Sequence, residues 1–153
     1  MNVLVDTNIL GRMAEPGHAQ HRPALDAAVA LRQRGDTPCV VPQVLYEFWV
    51  TATRPTSANG LGLSAAQAGT ELAKIKGLFP VLSDSAVIYP EWERLVTTHH
   101  VIGKSAHDAR LVAAMIVHGI SHILNFNTAD FARFPGVTAL DPLPLAAAAP
   151  PPP

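Results

Sequence analysis

The sequence predicts an α/β fold: a central parallel sheet of about five strands with helices on both faces. Three observations lead there. Short apolar runs at residues 3–5, 39–41, 79–82, 122–125 and 137–140 alternate with longer helical segments, the order of parallel strands joined by helical crossovers. The first of these runs is continuously apolar, as a strand covered on both faces is. The segment Leu111-Val112-Ala113-Ala114-Met115-Ile116-Val117 is apolar around the whole helical turn, so it belongs in a core.

Taken in order, residues 3–5 make the first strand, which ends in an acid, Asp6. A short helix follows over 7–13 and is broken by Pro16-Gly17-His18. Residues 18–34 are rich in Ala and Arg and helical until Gly35-Asp36. The strand at 39–41 is cut off by Pro42, and a helix runs from about 43 to 53. Residues 56–63 are polar, with Asn59-Gly60 as a turn signal. Ser64 is placed to cap a helix reaching about Lys76. The third strand, 79–82, is expected despite Pro80, and a helix follows over 85–100. Gly103 breaks that helix, and Ser105 opens the apolar helix, which Gly119 closes after His118. The fourth strand (122–125), a helical turn (127–134) and the fifth strand (137–140) complete a domain over 1–141. The remainder, 142–153, is an Ala/Pro-rich tail expected to be disordered, since it has little to bury.

Composition narrows the function. The 153 residues suit one domain. They are 48% apolar and only 15% charged, sparse charge for a bare surface, so a partner is expected to cover part of it. The net charge of -1 is unlike that of a non-specific nucleic-acid binder. Any nucleic-acid site must therefore be local and take positive charge from metal ions. The single cysteine, Cys39, excludes an intrachain disulfide and reads as a buried strand residue. The start lacks a basic region followed by a long apolar core, and no apolar stretch approaches ~20 residues. A cytoplasmic protein away from the membrane is expected.

Open parallel sheets place their sites beyond the carboxyl ends of the strands, and acids collect there. Asp6 follows the first strand directly, though it could equally cap the next helix. Glu47 sits among Leu45, Tyr46, Phe48, Trp49 and Val50, large apolar neighbours that would leave an ionised carboxylate in need of a partner, a metal or a proton. Asp108 lies in the first turn of the apolar helix, where Ser105 and Asp108 also fit a capping box. Asp130 follows the fourth strand, three residues after Asn127. Each has a local structural explanation. Together they would repel in one cleft, and a divalent cation resolves that repulsion. Oxygen-only ligands suit Mg²⁺ or Mn²⁺, ions that activate water and clamp a phosphodiester.

The same residues resemble a known family. Val5-Asp6-Thr7-Asn8-Ile9-Leu10 resembles the opening of PIN domains. The stretch from His107-Asp108-Ala109-Arg110 to Met115 looks like their third acidic motif, and Asn125-Phe126-Asn127-Thr128-Ala129-Asp130-Phe131 like the fourth. Glu47 falls where the second acid belongs. The resemblance covers about residues 1–140 and is strongest to VapC-type toxins. It implies a Rossmann-like three-layer sandwich, Mg²⁺- or Mn²⁺-dependent RNA cleavage, a homodimer and a cognate antitoxin. One departure concerns the fourth motif: Asn125 stands where many relatives have Thr or Ser, and neutral Asn127 where they have an acid. The fourth acidic role then falls to Asp130, or to Asp130 and Asn127 together.

On this reading Asp6 and Asp108 contact the metal, while Glu47 and Asp130 act through water. Asn8 orients Asp6 or Asp108, and Asn127 supports the site. Arg12, Lys104 and Arg110 are candidates for phosphate contact. Rival acid-cluster enzymes fit less well. A haloacid-dehalogenase-type phosphatase needs an acid where Asn8 stands, and no Gly-rich phosphate loop follows the first strand. The non-enzymatic alternative is a catalytically silent PIN-like module that binds RNA or a partner.

Overall fold

Val3, Leu4 and Val5 are all fully buried. Successive strand residues point to opposite faces, so both faces of this strand are covered. It is β1 (Asn2–Val5). In the computed structural model, which describes residues 1–148, β1 lies inside a sheet of order β2-β1-β3-β4. Here β2 is Thr37–Cys39, β3 is His122–Leu124 and β4 is Thr138–Leu140. Every pairing is parallel, with Leu4 opposite Cys39 on one side and Ile123 on the other, and Ile123 opposite Ala139. The helices are α1 (Thr7–Met13), α2 (His21–Gln33), α3 (Pro42–Thr53), α4 (Ala65–Leu78), α5 (Ile88–Thr98), α6 (Ser105–Val117) and α7 (Pro142–Ala148). Among the described residues, no helix is long and apolar enough to cross a membrane.

The apolar helix is core for most of its length: Leu111 to Met115 of α6 are buried without interruption, while Ile116 is 43% exposed. Ser64 caps α4 in a reciprocal box, its Oγ accepting from Gln67 N and its own N–H donating to Gln67 Oε1. Cys39 is buried in β2, and burial pushes its thiol up to about 11, leaving it unreactive.

Three expectations are corrected. The strand expected at 79–82 is reduced to one parallel bridge, Val40 with Val81, beside a sheet of four strands, close to the about five expected. Val40 N donates to Pro80 O and Leu82 N to Val40 O; Pro80 has no N–H with which to lengthen the ladder. The second strand begins two residues earlier than expected, at Thr37, because its register is set by Asn2 pairing with Thr37. Val41 is already the residue before α3, whose first position is Pro42.

The third correction is at the C-terminal end. The tail expected to lack structure from 142 onward forms α7 over Pro142–Ala148, packed on α2. A proline at the first helical position and an alanine run both favour helix, Asp141 Oδ1 accepts from Leu143 N, and Leu145 packs against the core. Residues 149–153 of that expected tail lie outside the described residues.

Candidate active site

Asp6 is held where β1 ends. Its N–H completes the β1–β3 ladder by donating to Leu124 O at 3.1 Å. Its side chain then turns to cap α1, with Oδ1 accepting from Thr7 N at 2.6 Å. Oδ2 accepts from Asn125 Nδ2, which the same ladder brings alongside from the end of β3. The capping reading holds, and the same carboxylate lines a cavity at the end of the sheet. Asp6 is only 7% exposed, and that burial pushes its pKa up to about 7. Thr7 N opposes the rise, while the negative charges of Glu47, Asp108 and Asp130 add to it.

Those three acids come from different elements but line one cavity of about 770 Å³ with Asp6. Glu47 is half-buried on α3. Its apolar neighbours do not enclose it as expected: Tyr46 and Val50 are largely exposed, at 66% and 59%. Glu47 is satisfied instead by polar partners, Oε2 accepting from Thr7 Oγ1 at 3.0 Å and Oε1 from Gln43 Nε2 at 2.8 Å. Asp108 lies in the first turn of α6, where the alternative capping box is not formed. Its pKa is raised first by burial, then by the charges of Asp130 and Glu47, against a lowering by His107 and Arg133. Asp130 is exposed on the 3-10 turn Thr128–Phe131.

The supporting residues fall out differently. Asn8 does not touch either acid through its hydrogen bonds; its Nδ2 donates to Asn125 Oδ1 at 2.7 Å and its Oδ1 accepts from Phe126 N at 3.3 Å. It reaches Asp6 only through Asn125. Asn127 is exposed, contributes its backbone N–H to Asn125 Oδ1, and does not line the cavity, whereas Asp130 does. Arg12 lines the cavity while bonded to Gln20 and Glu15. Arg110 is held by Asp84 and Gln43. Lys104 stands in an adjacent cavity.

Three residues of the cluster were not singled out from sequence. Asn125 is buried (1% exposed) and joins Asp6 to Asn8; its signal was its place directly after an apolar strand. Thr7 follows the first acid. Gln43 lies four residues before Glu47, on the same helical face, and also binds His107 O at 2.9 Å. Gln43 is buried, so Gln43→Ala should cost about 1–3 kcal/mol by leaving Glu47 and Arg110 short of a partner. Urea unfolding checks this; an unchanged midpoint contradicts it.

Among the described residues, none of these four acids forms an ion pair with a side chain. Nor do any three metal-binding side chains make a ready cage. That still fits Mg²⁺, which is typically held by one or two carboxylates and keeps several waters. The donors are hard oxygens, and their mutual repulsion is eased only by the charges of His107 and Arg133 near Asp108, without an ion pair.

Fold and site together define a parallel α/β domain with an acidic cleft at the carboxyl ends of its strands. The chain belongs to the PIN domain family, whose model matches residues 3–137. No curated protein sequence matches it. Several solved structures share the fold. VapBC2 from Rickettsia felis, bound to a DNA fragment from its promoter, aligns with a TM-score of 0.69 at 16% identity, covering 92% of this chain and 98% of that one. VapBC-1 from nontypeable Haemophilus influenzae gives 0.67 at 15% identity, with 93% and 98% covered. Mycobacterium tuberculosis VapC20, a Sarcin-Ricin loop cleaving toxin, gives 0.55 at 22% identity, with 79% and 86% covered.

Proposed function

We propose that this PIN domain is a Mg²⁺- or Mn²⁺-dependent endoribonuclease acting in the cytoplasm as the toxin of a toxin–antitoxin pair. The observation that carries the nuclease reading is the gathering of Asp6, Glu47, Asp108 and Asp130 around one cavity without a neutralising ion pair. Asp6 and Asp108, both with raised pKa values, would hold the ion. When bound, the ion neutralises charge on the phosphodiester and makes water a better nucleophile near neutral pH. Glu47, fixed by Thr7 and Gln43, orients the attacking water and accepts its proton. Asp130, on an exposed turn, completes the water shell. The water oxygen bonds to phosphorus as the P–O bond to the ribose breaks, and the departing ribose oxygen takes up a proton from solvent.

The toxin role draws support from the toxin–antitoxin assemblies that share this fold and from the sparse charge of the chain. A cognate antitoxin and a second copy of the chain are the partners proposed, with RNA as substrate. Exposed apolar side chains, among them Val87, Tyr89 and Ile102, are available to such partners.

The deciding experiment incubates the protein with a pool of structured RNAs in Mg²⁺, Mn²⁺ or EDTA. Cuts are expected with either ion, and none with EDTA or with Asp108→Asn. A folded wild type that cuts nothing in either ion would overturn the nuclease and leave an RNA- or partner-binding module.

A further inference from the structure

Beside the acidic cleft lies a second cavity of about 690 Å³. The two share Thr7, Glu47 and Thr51 as a common wall. The chemistry changes across that wall. The second cavity is lined by Tyr46 and Val50 from α3, by Arg54 just beyond it, and by Lys104, His107 and Arg110 at the start of α6.

Two features here have no use in the folded chain. Tyr46 and Val50 are apolar yet largely exposed, one helical turn apart on the same face. Arg54 and Lys104 are exposed, and among the described residues neither has a carboxylate partner; the Arg54 guanidinium donates only to Thr51 Oγ1 at 3.2 Å. Arg110, by contrast, is held by Asp84 and Gln43. Free cations that line the same cavity as Glu47, yet do not pair with it, are available to an anion from outside. An aromatic face with cations at its margin is the arrangement that binds single-stranded nucleic acid, by stacking a base and holding the backbone.

The geometry points to a nucleotide subsite in this second cavity: the base of an unpaired residue next to the cleaved linkage stacks on Tyr46 above Val50, and its phosphate is met by Arg54 and Lys104. This rests on the ribonuclease reading, because the shared wall carries the RNA chain from one cavity into the other. It adds a substrate preference. A base must leave its helix to stack here, so RNA unpaired beside the cut is favoured over duplex.

The test uses the full chain in EDTA, where no cleavage intervenes. A short fluorescent single-stranded oligoribonucleotide and an abasic version of it are titrated by anisotropy. Tyr46→Ala is expected to weaken binding of the base-bearing strand about tenfold, in the range for losing one stacked base. It should leave binding of the abasic strand unchanged, and Tyr46→Phe should restore the loss. Replacing Arg54 and Lys104 together by Ala should flatten the plot of log affinity against log salt by about 0.7, the slope for the one phosphate they share. Unchanged thermal midpoints for these exposed positions show that folding is intact. Equal affinity of wild type and Tyr46→Ala for both strands overturns the subsite and gives the cavity to a protein segment. Absence of wild-type binding overturns it too. The nuclease is judged separately in Mg²⁺: cuts made equally well by Tyr46→Ala leave it standing without the subsite, while loss of stacking in a protein that never cuts leaves a binding module.

Discussion

Asp6→Asn is expected to reduce RNA cleavage by roughly a hundredfold to a thousandfold, the scale for removing one group at the centre of charge development, and to flatten the pH dependence of stability. Burial is the main reason the Asp6 carboxyl, ordinarily 3.8, is raised to about 7. A folded state that holds its proton more tightly than the unfolded state is stabilised at low pH. That contribution is fully present below about 3.8 and is lost as pH rises through about 7. At 1.36 kcal/mol per unit the loss is on the order of 4 kcal/mol. Metal-free wild type should therefore melt at progressively lower temperature between those limits. Asp6→Asn carries no proton to lose, so its midpoint should vary much less. The slope is the readout rather than the midpoint itself, because the new amide would turn an N–H towards Asn125 Nδ2, a donor facing a donor. Mg²⁺ should raise the wild-type midpoint more at pH 8 than at pH 5, since the ion and the proton compete for one carboxylate. Equal slopes for wild type and variant in EDTA would refute this account of Asp6.

Asn125→Ala is expected to lower cleavage about 10- to 100-fold at limiting metal, the usual effect of removing a group that orients a metal-binding residue. Asn125 is a positioning residue. It donates to Asp6 and accepts from Asn8 Nδ2 and Asn127 N, so its loss leaves a buried carboxylate loose and two donors unpaired. The latter should cost about 1–3 kcal/mol in stability. A Mn²⁺ titration separates positioning from damage to the fold. If Asn125 acts through Asp6, half-saturation moves to higher Mn²⁺ and the maximal rate largely recovers. A rate depressed equally at every Mn²⁺ concentration would mean that Asn125 matters only to the fold. Asn8→Ala, one step further from Asp6, should show the same shift in smaller measure.

Two of the candidate acids, Asp6 and Asp108, were legible because each sits at the end of an unmistakable element. Asp6 closes a continuous apolar strand, and Asp108 opens a helix apolar on every side. The expected apolar enclosure of Glu47 is only partly met: its neighbours are apolar, but Tyr46 and Val50 face outward, and the partners that hold the carboxylate are Thr7 and Gln43. Helical periodicity shows which residues share a face, not which face meets another element, and the apolar ring around Glu47 could be read either way. Asn125 and Gln43 escaped because amides in hydrogen-bonded networks leave no trace in local pattern; their role depends on the β1–β3 ladder and on α1 lying against α3. The missed α7 has a related cause. Alanine and proline look like low complexity until α2 supplies a surface for Leu145 to reach the core.

The bridge between Val40 and Val81 bears on how the protein keeps to itself at high concentration. A sheet margin with open donors and acceptors can recruit a strand from another molecule and seed aggregation. Here β2 forms one such margin and β4 the other. Pro38 presents no N–H, and both backbone groups of Val40 are already engaged by Pro80 and Leu82. The segment that falls short of a fifth strand thus works as a plug. It occupies the growing edge without prolonging it, and its own proline denies the next strand a place to attach.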